Sequence, residues 1–411
     1  MQNLKIDGVR LWASLMEMAK IGATPKGGVC RIALTDVDKA GRDLFVAWCK
    51  AAGCSVSVDA VGNIFARRAG QDDSLPPIVT GSHLDSQPTG GKFDGVYGVL
   101  AGLEVMRSLN DAGIVTRAPL EVVCWTNEEG SRFAPAMVGS GAFAGVFKLA
   151  DVIDKTDVDG KKFGEELKRI GYAGETQPGG RKLGAYFEAH IEQGPILEAE
   201  GKVIGAVTGA QGQRWYEVTV LGQDAHAGPT PMARRKDALV GASLMVAEVN
   251  RIGHAFQPGA CATVGMVQVS PNSRNVIPGK VWFTVDTRHP DDARLAGMKA
   301  EMTAAFERIA REKGLTVEIE EIWYVAPQPF DPACVSAVRE GAKRQGMPVM
   351  DIVSGAGHDA VYVAQTAPVG MIFVPCAGGL SHNELEDAKA SDLAAGCEVL
   401  LHAMLDRAGT N

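Results

Sequence analysis

Between two apolar runs, PPIVTGS (76–82) and APLEVVCWT (118–126), lies GVYGVLAGLEVMRSLNDAG (95–113). It carries Val96, Val99, Leu100, Leu103 and Met106 at three- and four-residue spacing and stops at Gly113. That period belongs to a helix closed by a glycine, and the flanking runs read as buried strands. A strand–helix–strand unit makes its two strands parallel, with the helix crossing one face of the sheet. GAYFEAH (184–190) and PVGMIFVPC (368–376) read as further strands, and 332–346 and 390–408 as further helices. The expected fold class is α/β, with a mixed, mostly parallel sheet.

Between about 210 and 327 the rhythm changes. RWYEVTVLG reads as a strand, 231–253 as a helix, and CATVGMVQVS and KVWFTVDTRH as two alternating strands. DDARLAGMKAEMTAAFERIAREKG is an amphipathic helix, and LTVEIEEIWYV a last strand. The order β-α-β-β-α-β predicts a small ferredoxin-like α+β domain. We therefore expect a first domain over 1–209 and 328–411, interrupted by an inserted domain over 210–327. A length of 411 residues also favours two domains over one core.

Composition narrows the partners. A net charge of −8 supplies no basic excess to displace counterions, so no nucleic-acid partner is expected. No apolar run approaches the roughly 20 residues that span a bilayer, and the first residues lack a signal-type apolar core. The eight cysteines include no C-x-x-C pair, and several sit inside apolar runs, as in EVVCWT. A cytoplasmic protein with reduced thiols is the expectation.

The polar residues fall at one place in this pattern. His83 follows the first strand, Glu128 and Glu129 follow the second, His190 ends the third, and His382 lies in the loop after PVGMIFVPC. In an open α/β sheet the carboxyl edge of the strands is where sites form. His83 and Asp85 are one residue apart, so in an extended chain Asp85 can accept the second ring N–H of His83. Asp94, beyond Gly90 and Gly91, is placed to bridge two cations or to cap the helix. Adjacent Glu128 and Glu129 cannot easily ligate one ion, which suggests one ligand and one general base. Such a mixed set suits zinc, manganese, cobalt or nickel better than calcium or magnesium. Taken singly, each residue has a plainer reading: a loop histidine, a helix cap, a solvated helix start, a satisfied core histidine. The joint pattern outweighs them.

GSHLDSQPTGGKFDG, TNEEGSRF, EAHIEQGP, DAHAGPTPM, NVIPG…DTRHP and SGAGHD…GLSHNE occur in that order over nearly the whole chain. Together they resemble the metal-dependent amidohydrolases of the peptidase M20 clan. The branch is that of N-carbamoyl-L-amino acid hydrolases, β-ureidopropionases and allantoate amidohydrolases. The resemblance implies a zinc-exopeptidase-like fold and two divalent ions per subunit, zinc or manganese, with cobalt or nickel as alternatives. It implies His83, Asp94 and His190 at one ion, and Asp94, Glu129 and His382 at the other. Glu128 would be the general base toward a water shared by the ions, and Asp85 would orient His83. The implied reaction is hydrolysis of the ureido C–N bond of an N-carbamoyl amino acid. Allantoate hydrolysis and an aminoacylase or dipeptidase activity are the alternatives.

The resemblance further implies that His226 stabilises the oxyanion and that Gln193, Asn275 and Arg288 bind a carboxylate-bearing ureido substrate. It implies that the inserted domain forms a homodimer; because His226, Asn275 and Arg288 lie in that domain and the expected metal ligands in the first, the inserted domain is also expected to act as a lid. Pro229 stands where relatives commonly have threonine, and Cys376 where they commonly have serine. SGAGHDA (354–360) reads as G-x-G-x-x-A, a dinucleotide-loop pattern, but no full βαβ unit surrounds it. No G-x-S-x-G elbow of a serine hydrolase is present.

Overall fold

In the computed structural model, which describes residues 4–410, four apolar runs form strands β1 (Ile78–His83), β2 (Leu120–Trp125), β3 (Ala185–Ile191) and β4 (Val369–Val374). Every residue of these strands is buried, as expected where helices cover both faces of a sheet. They lie in the order β2-β1-β3-β4, and each neighbouring pair is parallel. Outside them the pairing turns antiparallel. Ile64–Arg68 runs against β2, Ser55–Val58 pairs with that strand, and Ile204–Ala210 runs against β4. The sheet is thus mixed, with a parallel centre.

Helix α1 (Val96–Asp111) packs on this centre. It sits close because Gly98 lacks a side chain: an added Cβ would fall 2.5 Å from the carbonyl oxygen of Ala189. Helices Gly8–Ala19 and Ala390–Ala408 pack against it, so α1 is buried on nearly every side rather than on one stripe. Gly113, two residues past its end, has φ +64, the left-handed conformation that stops a helix.

The chain divides into two compact units, Met1–Thr208 with Phe330–Asn411, and Gly209–Pro329. The second holds an antiparallel sheet in the order Val267–Ser270, Lys280–His289, Gly212–Leu221, Thr316–Val325. Helices Ala238–Ala255 and Asp292–Lys313 pack on it around Tyr216, Val218, Phe283, Met298 and Phe306. This is the β-α-β-β-α-β arrangement. Its first helix starts later than Pro231. A 3₁₀ turn occupies Met232–Arg234, and Asp237 then caps the helix by accepting the N–H groups of Leu239 and Val240. Among the described residues, no helix is long and apolar enough to cross a membrane.

Candidate metal centre

Parallel pairing brings the carboxyl ends of β1 to β4 to one edge: His83 lies opposite Trp125, and His190 opposite Phe373. Asp94 immediately precedes the turn into α1. Its Oδ1 lies 3.2 Å from His190 Nε2 and 3.9 Å from His83 Nε2. Its Oδ2 lies 3.3 Å from His382 Nε2, which is also 3.3 Å from Glu129 Oε2. Two donor groups result, His83–Asp94–His190 and Asp94–Glu129–His382, each with its ligand atoms within 4.8 Å of one another. Bonds of about 2.1 Å around a tetrahedral ion place donors roughly 3.4 Å apart, so both groups fit a metal.

Main-chain carbonyls aim the two buried imidazoles. His83 Nδ1 bonds to the Asp85 carbonyl oxygen at 2.9 Å, and His190 Nδ1 to that of Ile191 at 2.8 Å. This turns each Nε2 toward Asp94. Here the expectation for Asp85 is corrected: its backbone carbonyl, not its carboxylate, meets His83, whose Nδ1 lies 4.0 Å from Oδ1. The carboxylate instead accepts the N–H groups of Glu128 at 3.3 Å and Glu129 at 3.2 Å. Those amides lie beyond the last ladder bond of β2 and need an acceptor. Asp94 is no helix cap either, since Gly95 occupies that position without a side-chain bond.

Without cations the site is over-supplied with acid. Burial, reinforced by Asp359, Glu129 and Asp85, raises the proton affinity of Glu128 well above the carboxylate range. Burial and the nearby Asp94 push Glu129 up to about 8. Burial and Asp38 push Asp85 up to about 7. Asp94 stays ionised: burial opposes this, but contacts with His190 and His382 hold its carboxyl well below the usual range. Burial pushes His83 down to about 4. Crowded anions of this kind are what bound cations would offset. Glu128 is buried, and its Oε2 lies 3.4 Å from His83 Nε2.

The remaining candidates are placed as follows. Gln193 faces the same centre, but its Nε2 donates to Asp94 Oδ2 at 2.9 Å and lies 3.1 Å from Ser381 Oγ. Gln193, expected to bind substrate, thus stands beside the shared aspartate through its Nε2. His226, Asn275 and Arg288 belong to the Gly209–Pro329 unit and to neither donor group. There, the pairing of His226 with Val276 and an Ala227 N–H donated to the Asn275 carbonyl at 2.8 Å set His226 beside Asn275. Gly228 N–H points at His226 Nδ1, 3.1 Å away. Arg288 is held by Asp286 at 2.8 Å.

Sequence reasoning missed two residues around Asp94, Ser381 and Glu386. His358, in the SGAGHDA segment, also lies close, its ring 4.5 Å from that of His190. A buried acid four residues after His382 was a signal that local pattern alone does not interpret. Asn127, Gln193 and His382 have φ of 56, 57 and 53, left-handed values that are strained for non-glycine residues. The SGAGHDA segment joins Val349–Ser354 to a helix of only five residues, Asp359–Val363, with Asp359 buried against Ser140. It does not open the long helix a dinucleotide site requires.

Residues 79–406 match the model of the peptidase family M20/M25/M40. An N-carbamoyl-L-amino-acid amidohydrolase of Rhizobium meliloti is 52% identical over 99% of this chain and 98% of its own. An allantoate amidohydrolase of Bacillus subtilis is 36% identical over 93% of each. A crystal structure of an amidase of the hydantoinase/carbamoylase family from Burkholderia multivorans superposes with a TM-score of 0.96 at 68% identity, covering 98% of both chains. The chain belongs to the peptidase family M20/M25/M40.

Proposed function

We propose that this protein hydrolyses the ureido C–N bond of N-carbamoyl amino acids, releasing amino acid, carbon dioxide and ammonia. The observation that carries the reading is Asp94, whose two oxygens face separate histidine-containing donor groups beside the buried Glu128. The relative at 52% identity points to carbamoyl substrates. The relative at 36% supports allantoate as the second reading.

In this proposal His83, Asp94 and His190 would hold one divalent ion, zinc or manganese, and Asp94, Glu129 and His382 a second. When bound, the ions would acidify a water and polarise the carbonyl. Glu128 takes the attacking water's proton and hands it to the departing nitrogen. Gly228 N–H, aimed at His226 Nδ1, favours the tautomer with its proton on Nε2. That leaves a donor for the developing oxyanion. Arg288 offers a planar fork to the substrate carboxylate, with Asn275 as a further polar contact. We infer that the inserted unit also forms a homodimer, which sedimentation would test.

The deciding assay is ammonia release from N-carbamoyl-β-alanine, several N-carbamoyl-L-amino acids and allantoate, with protein of measured metal content. Turnover of carbamoyl compounds above allantoate supports the first reading, and the reverse order supports the second. Activity confined to acyl or peptide substrates overturns both.

A further inference from the structure

Glu386 is 1% exposed, and no step of the proposed reaction uses it. Its Oε1 accepts the main-chain N–H groups of Phe93 at 2.9 Å and Asp94 at 3.1 Å. Its Oε2 lies 2.8 Å from Ser381 Oγ, which is itself 3.2 Å from Asp94 Oδ2. The fit is close, since a Cβ on Gly91 would fall 2.0 Å from this carboxylate. One side chain therefore ties the loop carrying His382 to the loop carrying Asp94.

The tie matters unequally for the two donor groups. His83 and His190 are buried and aimed by their own neighbouring carbonyls. His382 is half-exposed, in a left-handed backbone conformation. Ser381 and Gln193 both contact Oδ2, the oxygen of Asp94 that faces His382.

We infer that Glu386 is a positioning residue for the His382 side of the centre: through the amides of Phe93 and Asp94 and through Ser381, it aims Oδ2 of Asp94 and sets the affinity for the second ion. This inference rests on the two-ion reading above. The hydrogen count refines it. Ser381 has one hydroxyl proton for two carboxylates. A glutamine at 386 would keep its Oε1 for the two amides and donate its N–H to Ser381 Oγ, freeing the hydroxyl proton for Asp94. A methionine would do neither while keeping the length of the side chain.

The test titrates metal-stripped wild type, Glu386→Met, Glu386→Gln and Ser381→Ala with Mn²⁺ by calorimetry. Near-ultraviolet circular dichroism checks folding. Two ions are expected on wild type and on Glu386→Gln. In Glu386→Met one dissociation constant rises about 10- to 100-fold, the range for lost partners of metal ligands, while the other is unchanged. Ser381→Ala weakens the same ion, toward the lower end of that range. Folded Glu386→Met with both ions bound as in wild type overturns the inference, and so does Glu386→Gln as weak as Glu386→Met. If Glu386→Met does not fold, an unweakened Ser381→Ala overturns it. Wild type that takes up fewer than two ions overturns the two-ion reading itself.

Discussion

The ring of His83 lies directly over Gly95: a Cβ at that glycine would fall 2.3 Å from His83 Cε1. Gly95 also has φ +66 and ψ −50, a tight-turn conformation that strains an L side chain. Gly95→Ala is therefore expected to push His83 out of its donor group. The measurable outcome is a lower melting temperature together with loss of one bound ion by mass spectrometry of the dialysed protein. A variant with wild-type metal content and melting temperature would contradict this account of the turn.

Glu128 approaches the centre without being required for either donor group. Glu128→Gln is expected to lower kcat by about 10²- to 10⁴-fold, the usual worth of a general base. Metal content should remain that of wild type. A fall in activity matched by a fall in bound metal would instead make Glu128 a ligand.

Arg288 is partly exposed and already engaged by Asp286 in two directions. Arg288→Lys retains the charge and loses the planar fork. We expect KM for an N-carbamoyl amino acid to rise about tenfold, the effect of one lost charge-assisted bond. Turnover of a substituted urea without a carboxylate should be unchanged. An equal effect on both substrates would remove Arg288 from carboxylate binding.

The metal-free centre also fixes a pH dependence. Burial and Asp94 lift Glu129 to about 8 and Glu386 to about 7. Each has its ordinary value near 4.5 when unfolded, so the folded chain holds extra protons between these limits. His190 and His382 are lifted to about 9 by Asp94, against burial. Their contribution is complete below 6.5 and is lost as pH rises through 9. His83, lowered to about 4, has the opposite sign but acts only below 6.5. All resolved shifts of these groups therefore agree in sign between pH 6.5 and 9. In chelator the melting temperature should fall across that window, and added Mn²⁺ should raise it most at the alkaline end. A metal-free melting temperature that climbs with pH in this window would contradict the charge balance described here.

Much of the centre was legible because strand ends are legible. Once 76–82, 118–126, 184–190 and 368–376 read as parallel strands, His83, Glu129, His190 and His382 had to share an edge. Asp94 followed from its place before a helix that crosses the same sheet. What escaped depends on main-chain groups that carry no side-chain signature. The Asp85 carboxylate turned to the amides of Glu128 and Glu129, and Glu386 to those of Phe93 and Asp94. The late start of the helix at Ala238 followed from the Asp237 cap, whose carboxylate takes up the N–H groups of Leu239 and Val240.

Anomalous diffraction from crystals loaded with Mn²⁺ or Zn²⁺ addresses the shared aspartate most directly. The prediction is two peaks on either side of the Asp94 carboxylate, roughly 3.5–4 Å apart as in other two-metal sites. One should lie between His83 and His190, and the other between Glu129 and His382. A single peak, or density that leaves either oxygen of Asp94 without a metal neighbour, would contradict it.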